Sequence, residues 1–543
     1  MSTAATALIL KGRTASSGFA RGPLFRADQA QFGCREPGSS LEEERALRAA
    51  LARTTCQITA LARALGGDAA DVLEFQLALL EDESFLDPIF SAIAGGAPAD
   101  GAWSQGLAVQ IADCQAAPDE YLRARAADLI DLRDRVLAAL NGEAGPLGEI
   151  PAGAVVCAED LPPSRFLEID WSACGGLALE QGSPTSHVAM LARARGIPMV
   201  VQLGALPARA EKALLDGEQA TLELDPSPAQ IAAFQARRAA YARDSTAARS
   251  ALAGPPLVWR GERIRVLINV QGLADLSHPD AQFADGVGLM RTEFLFGDPA
   301  GLPDEEAQFR TYEAVLRWAG DRPVTIRTVD AGGDKPILGF TENGEANPFL
   351  GVRGLRLCLK RREIFAVQLR ALARAAVHGR LKVMFPMVTV PAEFAEARDL
   401  FLAIVNELRG EGMAAEMPEL GMMVEVPAAA LTIDTFPASF FSIGSNDLAQ
   451  YVTACDRTNG ALAALIDPLH AGVLELIRRT AEHGRRNGID VSLCGDMAGD
   501  PRCAAALLCC GVREFSMGPP SLPRLKQAIS ALSLEGSSGR GGT

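Results

Sequence analysis

The sequence lacks the features that mark two large functional classes. Its 543 residues carry a formal net charge of −15, and no stretch forms a basic stripe. Because a nucleic-acid partner requires clustered Lys and Arg to neutralise its phosphates, this balance excludes that class and favours a basic protein partner. No segment approaches the ~18 uninterrupted apolar residues that cross a bilayer, and MSTAATALILKGR at the start carries neither a basic leader nor a cleavage site. We therefore expect a cytoplasmic protein without membrane insertion.

The cysteines and histidines also lack the spacing that marks disulfide-rich proteins or structural metal sites. The eleven cysteines are scattered without a C-x-x-C pair, and the five histidines form no cluster. The cysteines therefore read as reduced, mostly buried thiols, and the pattern argues against a zinc site. The chain is too long for one hydrophobic core, so several domains are expected.

Periodicity divides the first half of the chain into helical and mixed parts. A short strand at 7–11 precedes a segment at 41–140 that is rich in Ala, Leu, Arg and Glu with helical spacing. Short apolar strands at 154–157, 176–180, 199–201 and 220–223 then alternate with helices, which is an α/β pattern. A polar-faced helical run at 229–251 follows as a linker.

The second half contains eight apolar runs separated by helical segments. They lie at 264–269, 287–290, 324–329, 381–387, 421–426, 440–443, 491–494 and 514–517. Eight such runs predict a (β/α)₈ barrel, whose active site lies at the carboxyl ends of its strands. Polar and reactive residues stand at or near the ends of these runs, namely Arg291, Arg327, Asp330, Glu425, Asn446, Asp447 and Cys494.

One stretch, GSPTSHVAMLARARGIPMVV from Gly182, combines a loop, a histidine and a helix. Ser183, Thr185 and Ser186 are candidate N-caps, and Gly196 is the expected stop, so His187 should lie in the first turn. The positive end of the helix dipole favours phosphate there and disfavours the imidazolium form. This placement predicts a neutral, nucleophilic imidazole, although a lone histidine near a helix start is more often a capping or core residue.

This stretch resembles the phosphohistidine signature of the phosphoenolpyruvate-utilising enzymes, because it contains T-S-H followed by an apolar helix and G-I-P. Six further segments resemble motifs of one branch, enzyme I, and occur in the same order: GVGLMRTEFLFGD, IRTVDAGGDKP, NPFLGVRGLRL, MMVEVPAA, FFSIGSNDLAQYVTACDRTN and LCGDMAGD. Six ordered matches are far more specific than any single one. The chain is thereby identified as resembling the phosphoenolpyruvate-protein phosphotransferases over nearly its full length.

The resemblance implies a role for each residue that matches a motif. His187 becomes the phosphorylated residue, and Cys494 becomes the acid that protonates the departing enolate. Glu425 and Asp447 become Mg²⁺ ligands, in keeping with the few carboxylates that Mg²⁺ takes from proteins. The implied phosphoenolpyruvate contacts are Arg291, Arg327, Asn446, Asp447 and Arg457, with Lys335 and Arg353 nearby.

The fold implied is an α/β phosphohistidine domain with an inserted all-α subdomain, followed by a TIM barrel. We expect the phosphohistidine domain at 1–20 and 145–225 and the helical, carrier-binding subdomain at 21–144. A linker helix is expected at 226–253, the barrel at 254–535 and a disordered tail at 536–543. Members of the family pair as homodimers through the barrel, and the same is expected here.

The expected reaction moves the phosphoryl group of phosphoenolpyruvate to His187 and then to a histidine of a small phosphocarrier protein, releasing pyruvate, as the first step of the sugar phosphotransferase system. An enzyme I of a regulatory branch, nitrogen-type or linked to dihydroxyacetone kinase, is the alternative. A synthase or dikinase is less favoured, because no P-loop and few residues precede the histidine domain. A non-catalytic phosphoenolpyruvate-binding regulator should have lost His187, Glu425, Asp447 or Cys494, and none is lost. One departure is Gly182–Ser183–Pro184, where the family usually carries Gly-Gly-Arg.

Overall fold

The computed structural model describes residues 8–538 except 28–36, 66–75, 78, 81, 117–119, 143–149, 183, 185, 208, 297–300, 334–336, 338, 342–344, 346, 457–461, 463–464 and 466. The chain forms two compact units, Met1–Ala242 and Arg243–Thr543. In the part described, no helix is both long and apolar enough to traverse a bilayer.

The first unit contains a mixed eight-stranded sheet in the order β1-β8-β7-β3-β4-β5-β6-β2. Its strands β3 to β6 run parallel to one another, and the remaining pairings are antiparallel. The strands are β1 Leu8–Lys11, β2 Arg13–Ser16, β3 Phe19–Arg26, β4 Val155–Ala158, β5 Gly176–Leu179, β6 Met199–Val201, β7 Lys212–Asp216 and β8 Thr221–Leu224. The central strands are buried along their whole length, as strands covered on both faces are.

Four described helices follow β3 and form a core of their own. They are α1 Ser40–Leu65, α2 Glu83–Ala94, α3 Ala99–Ala116 and α4 Glu120–Leu140. Their apolar faces pack around Trp103, which is fully buried, and its indole N–H donates to the carbonyl of Arg133 at 3.2 Å. Two shorter helices, α5 Pro163–Glu168 and α6 His187–Arg195, belong to the α/β part.

A buried ion cluster joins the helical part to the α/β part of this unit. Asp131 of α4 accepts hydrogen bonds from Arg135 at 2.7 Å, from Arg165 of α5 at 2.9 Å and from Ser164 at 2.6 Å. Burial alone would raise the pKa of Asp131, but the charges of Arg135 and Arg165 outweigh it and hold the pKa at about 2. The cluster therefore depends on an ionised Asp131.

The linker helix, α7 Pro228–Ser250, begins on the sheet of the first unit. Arg237 pairs with Asp216 at 2.9 Å and with Glu223 at 3.2 Å. Phe19 contacts the rings of Phe234 and Tyr241 edge-on, with centroids 5.4 and 5.2 Å away. The helix is thus fixed to its own sheet as far as residue 241.

The second unit is a closed barrel of eight parallel strands, because β17 pairs with β10. The strands are β10 Glu262–Val270, β11 Val287–Met290, β12 Val324–Arg327, β13 Leu381–Phe385, β14 Glu419–Val424, β15 Phe440–Gly444, β16 Asp490–Cys494 and β17 Glu514–Met517, and β9 Leu257–Trp259 pairs antiparallel with β10. The described helices around them are α8 Glu305–Ala319, α9 Leu355–Lys360, α10 Arg362–Ala375, α11 Pro391–Gly410, α12 Pro427–Leu431, α13 Ser445–Thr453, α14 Ala471–Asn487, α15 Ala504–Cys509 and α16 Leu522–Ser538.

The predicted fold class is confirmed, and all eight predicted barrel strands are present. Three strands of the first sheet, β2, β3 and β7, were not predicted. β3 also crosses the predicted subdomain boundary at residue 20, because its Leu24–Arg26 segment pairs with β4. The last helix continues to Ser538, past the predicted start of the tail, and residues 539–543 lie outside the described part. The other predicted boundaries stay predictions.

Replacing Asp131 by Ala should destabilise the first unit by about 3–5 kcal/mol, because two buried guanidinium groups would lose the carboxylate that they share and keep only Glu168 and Asp134 as partners. Urea unfolding followed by circular dichroism measures the change. Asp113→Ala, which removes an exposed carboxylate from α3, is the matched control and should change stability by less than about 0.5 kcal/mol. Equal effects of the two substitutions would contradict the role assigned to the cluster.

Candidate functional site

His187 is the first residue of α6, as predicted. Ser186 caps the helix by accepting a hydrogen bond from the Ala189 N–H at 3.2 Å, and Gly196 ends it in the left-handed conformation with φ 66°. The unpaired N–H groups of this turn therefore lie at residue 187. Of the predicted N-caps, Ser183 and Thr185 lie outside the described residues.

The loop before His187 is tied to its helix by an arginine from the last turn. Arg193 donates one guanidinium nitrogen to the carbonyl of Pro184 at 2.7 Å and to that of Ala15 at 2.8 Å. In the family, the arginine near this loop belongs to the segment that precedes T-S-H. Arg193 instead reaches the loop from the last turn of the helix that follows it. It holds the carbonyl of Pro184, which belongs to the segment that differs from the family pattern.

At the barrel, the predicted residues converge on the carboxyl ends of the strands. Arg291 follows β11, Arg327 ends β12, Glu425 follows β14 and Cys494 ends β16. Asn446 and Asp447 lie in the first turn of α13, directly after β15. The parallel register brings these ends to one edge, which is where barrel enzymes carry their sites.

Two buried arginines link the acidic side chains at this edge. Arg327 contacts Glu293 at 3.0 Å and Asp330 at 3.1 Å. Arg353 contacts Asp330 at 3.0 Å and Asp447 at 3.4 Å. Both guanidinium groups are almost inaccessible to solvent, and the pKa of each is raised because the neighbouring carboxylates outweigh the effect of burial.

Glu425 is fully buried beside this network. Its Oε1 accepts a hydrogen bond from the backbone N–H of Met387 at 2.6 Å, whereas its Oε2 has no hydrogen-bond partner among the described residues. Burial, followed by the negative charges of Asp447 and Asp330, raises the pKa of Glu425 to about 7. A Cβ at Gly444 would lie 2.9 Å from Oε2, so the glycine leaves room at that oxygen.

The described groups of the network carry more negative than positive charge. Glu425 and the three carboxylates that Arg327 and Arg353 contact outnumber these two arginines, and with Arg291 at the same edge the fully ionised groups still carry one net negative charge. A cation would compensate this charge, and the Glu425 oxygen that has no hydrogen-bond partner among the described residues suits Mg²⁺, with Asp447 beside it. Two carboxylates suffice for Mg²⁺, which fits the finding that no described group of three or more His, Cys, Asp or Glu could hold a metal.

Unpartnered donors lie at the same edge. The Nε atoms of Arg291, Arg327 and Arg353 are buried, and within the described residues they have no hydrogen-bond partner. Proteins leave few buried polar groups unsatisfied, so three guanidinium nitrogens together point to an anionic ligand. The site is therefore suited to an anion that also binds a divalent cation.

Cys494 is 2% exposed and lies among the barrel residues Leu289, Met384, Met423 and Phe440. Burial raises the pKa of its thiol, and the hydrogen bond from Ser442 at 3.5 Å and the charge of Arg327 only partly offset this rise. The thiol also lies 3.6 Å from the carbonyl oxygen of Ile443, to which it donates. Cys494 therefore carries a proton at neutral pH.

Two predicted site residues, Lys335 and Arg457, lie outside the described residues. Asn446 is partly exposed, and its side-chain oxygen accepts from the N–H of Asp496 at 3.0 Å. Sequence reasoning missed Glu293, although it lies within the quoted segment GVGLMRTEFLFGD. It also missed Met387, whose φ of 57° is costly for a side chain of this kind and which no sequence pattern marks.

Three family models match consecutive parts of the chain. Residues 11–125 match "PEP-utilising enzyme, N-terminal", residues 150–224 match "PEP-utilising enzyme, mobile domain", and residues 247–534 match "PEP-utilising enzyme, PEP-binding domain". The barrel with its buried charge cluster falls in the third range, and His187 falls in the second.

Whole-chain relatives agree with these matches. A protein of Geobacillus stearothermophilus named "Phosphoenolpyruvate-protein phosphotransferase" is 36% identical over 97% of this chain and 93% of its own length. A protein of Bacillus subtilis with the same name is 34% identical over 96% of this chain and 94% of its length. A "Multiphosphoryl transfer protein" of Xanthomonas campestris is 38% identical over 96% of this chain but 64% of its length.

Replacing Glu425 by Gln should stabilise the metal-free barrel at neutral and higher pH. Since the pKa of Glu425 is raised from its ordinary value to about 7, ionising it costs stability as the pH rises from about 4.5 to about 7. The gain from the substitution should grow over this window to about 3 kcal/mol. Urea unfolding at several pH values in the presence of a chelator measures it. The control, Glu416→Gln at an exposed position, should show no such trend, and a pH-independent gain for Glu425→Gln would contradict the argument.

Proposed function

The chain belongs to the family of phosphoenolpyruvate-utilising enzymes that includes the phosphoenolpyruvate-protein phosphotransferases, and we propose that it transfers the phosphoryl group of phosphoenolpyruvate to its own His187 and then to a histidine of a small phosphocarrier protein. Pyruvate is the second product. This reaction is the first step of a sugar phosphotransferase system or of a related regulatory branch.

One observation carries the proposal. Buried guanidinium nitrogens and a buried carboxylate oxygen that have no hydrogen-bond partner within the described part of the chain occupy the same end of the barrel. Phosphoenolpyruvate has a phosphate and a carboxylate for the guanidinium groups, and its oxygens can share a divalent cation with the protein. A ligand with only one of these properties would leave part of the site unsatisfied.

Substrate binding is assigned to the residues at the strand ends. Arg291 and Arg327 contact the anion through Nε groups that no described residue bonds, and Asn446 and Arg457 complete the contact set. Lys335 and Arg353 are assigned to positions near the bound anion. Arg353 also holds Asp330 and Asp447 in place. Guanidinium groups suit this task because they stay charged when buried.

Mg²⁺ is the proposed metal, and Glu425 and Asp447 would hold it. When bound, Mg²⁺ neutralises negative charge on the phosphoryl group and on the two carboxylates. Asp447 is already oriented by Arg353, and Glu425 by the N–H of Met387. Both ligands are thus in place before a metal binds.

Phosphoryl transfer requires His187 to attack phosphorus in line with the departing enolate oxygen. A P–N bond forms, the P–O bond of the substrate breaks, and the enolate of pyruvate remains. The thiol of Cys494 then gives its proton to the methylene carbon, and the thiolate regains a proton from solvent. The raised pKa keeps that proton on the sulfur until it is needed.

The remaining assignments concern partners and location. The helical subdomain, α1 to α4, is proposed as the docking surface for the phosphocarrier protein, and His187 must reach both the barrel site and this partner. A homodimer through the barrel is proposed as the assembly. A cytoplasmic location stays a prediction.

Incubation with phosphoenolpyruvate and Mg²⁺ should place one acid-labile phosphate on His187. Mass mapping under mild alkaline conditions measures it. His187→Ala should abolish the label, a chelator should prevent it, and His378→Ala, which alters an exposed histidine, should retain it. If the protein binds phosphoenolpyruvate but forms no phosphohistidine, it is a regulator, and the proposed function is contradicted.

Cys494→Ala should lower the rate of pyruvate formation by roughly 10²–10⁴-fold, as expected when a positioned acid is lost. The concentration of phosphoenolpyruvate that half-saturates the protein should change far less, because the thiol acts after binding. Pyruvate can be followed with a coupled assay. Cys503→Ala removes another buried barrel thiol and should leave the rate intact; equal losses would refute the role of Cys494.

A further inference from the structure

A buried polar network lies behind the strand ends that carry Arg291 and Arg327. Its centre is Gln368 of α10, which is 0% exposed in an otherwise apolar helix face. A buried amide is costly unless all its hydrogen bonds are made, so its presence calls for an explanation.

Every hydrogen-bonding group of this amide is used. The backbone N–H of Val329 donates to Gln368 Oε1 at 3.0 Å. Gln368 Nε2 donates to Thr292 Oγ1 at 3.2 Å and to Tyr312 Oη at 3.1 Å. Because the Val329 N–H can only donate, the oxygen of the amide must face it, and the orientation of the side chain is fixed.

The two hydroxyl groups that accept hydrogen bonds from Gln368 donate hydrogen bonds in turn. Thr292 donates its hydroxyl hydrogen to the carbonyl of Arg327 at 3.0 Å, and Tyr312 donates its own to Gln308 at 3.0 Å. Each hydroxyl therefore accepts from Gln368 and donates onward. Thr292 directly follows Arg291, and Val329 lies two residues after Arg327, so the amide joins the ends of β11 and β12.

We propose that Gln368 and Thr292 are positioning residues that set the spacing of Arg291 and Arg327 for the anionic substrate. This inference rests on the proposed function, since it concerns the two arginines assigned to phosphoenolpyruvate. The contacts to Thr292 and Val329 hold the backbone on both sides of the arginine pair. The contact to Tyr312 continues to Gln308 within α8 and holds neither strand end, so we assign it to stability.

The test compares four variants in single-turnover phosphorylation of His187 by phosphoenolpyruvate with Mg²⁺. Gln368→Met and Thr292→Val should raise the half-saturating phosphoenolpyruvate concentration by roughly tenfold or more, with a smaller change in the rate at saturation, because displaced arginines weaken binding. Thr292→Ser keeps the hydroxyl and should restore the wild-type value. Tyr312→Phe also leaves buried groups unpaired and lowers the melting temperature, yet should not change half-saturation.

The inference is overturned if Tyr312→Phe raises half-saturation as much as Gln368→Met, since the network would then act only through stability. It is also overturned if Thr292→Val binds as wild type does. Should Gln368→Met fail to fold, the Thr292 pair decides alone. A wild-type protein that forms no phosphohistidine removes the proposed function, whereas an active wild type with unaltered variants removes only this inference.

Discussion

An excess of negative charge among the described residues at the carboxyl end of the barrel is the constraint on which the site depends. Four carboxylates there outnumber the guanidinium groups of Arg291, Arg327 and Arg353, and burial, followed by the charges of Asp447 and Asp330, raises the pKa of Glu425 to about 7. A buried charge of this kind is costly, and a bound cation is one way to compensate it. The excess charge therefore lowers stability as long as no cation binds, as expected for the proposed metal position beside the arginines proposed to bind the anion.

The groups of the proposed reaction are divided between the two units. The two units use different kinds of groups. In the first, a capped helix start presents backbone N–H groups at His187, and the loop before it is held by Arg193. In the second, the barrel keeps charged side chains and a protonated thiol away from water. The site proposed to carry the phosphoryl group on His187 is thus built from backbone dipoles, and the site proposed to bind phosphoenolpyruvate is built from buried ions.

Networks outside the reacting groups fix both arrangements. In the first unit, Asp131 ties the helical part to the α/β part through Arg165. In the barrel, Gln368 joins two strand ends from an outer helix. Both side chains are buried and hydrogen-bonded, and for Gln368 we propose a positioning role in addition to stability. Neither can be recognised from its local sequence, since a buried and an exposed polar residue look alike there.

The sequence by itself determined the eight barrel strands, the helix that starts at His187 and the clustering of reactive residues at strand ends. Those features follow from local periodicity and from the rule that parallel strands share one edge. Only the tertiary structure decided which carboxylate pairs with which arginine, that one Glu425 oxygen has no hydrogen-bond partner among the described residues, and that β3 lies between β7 and β4. These features depend on contacts between residues far apart in the chain, such as Arg353 and Asp447. Local sequence patterns do not predict such pairs.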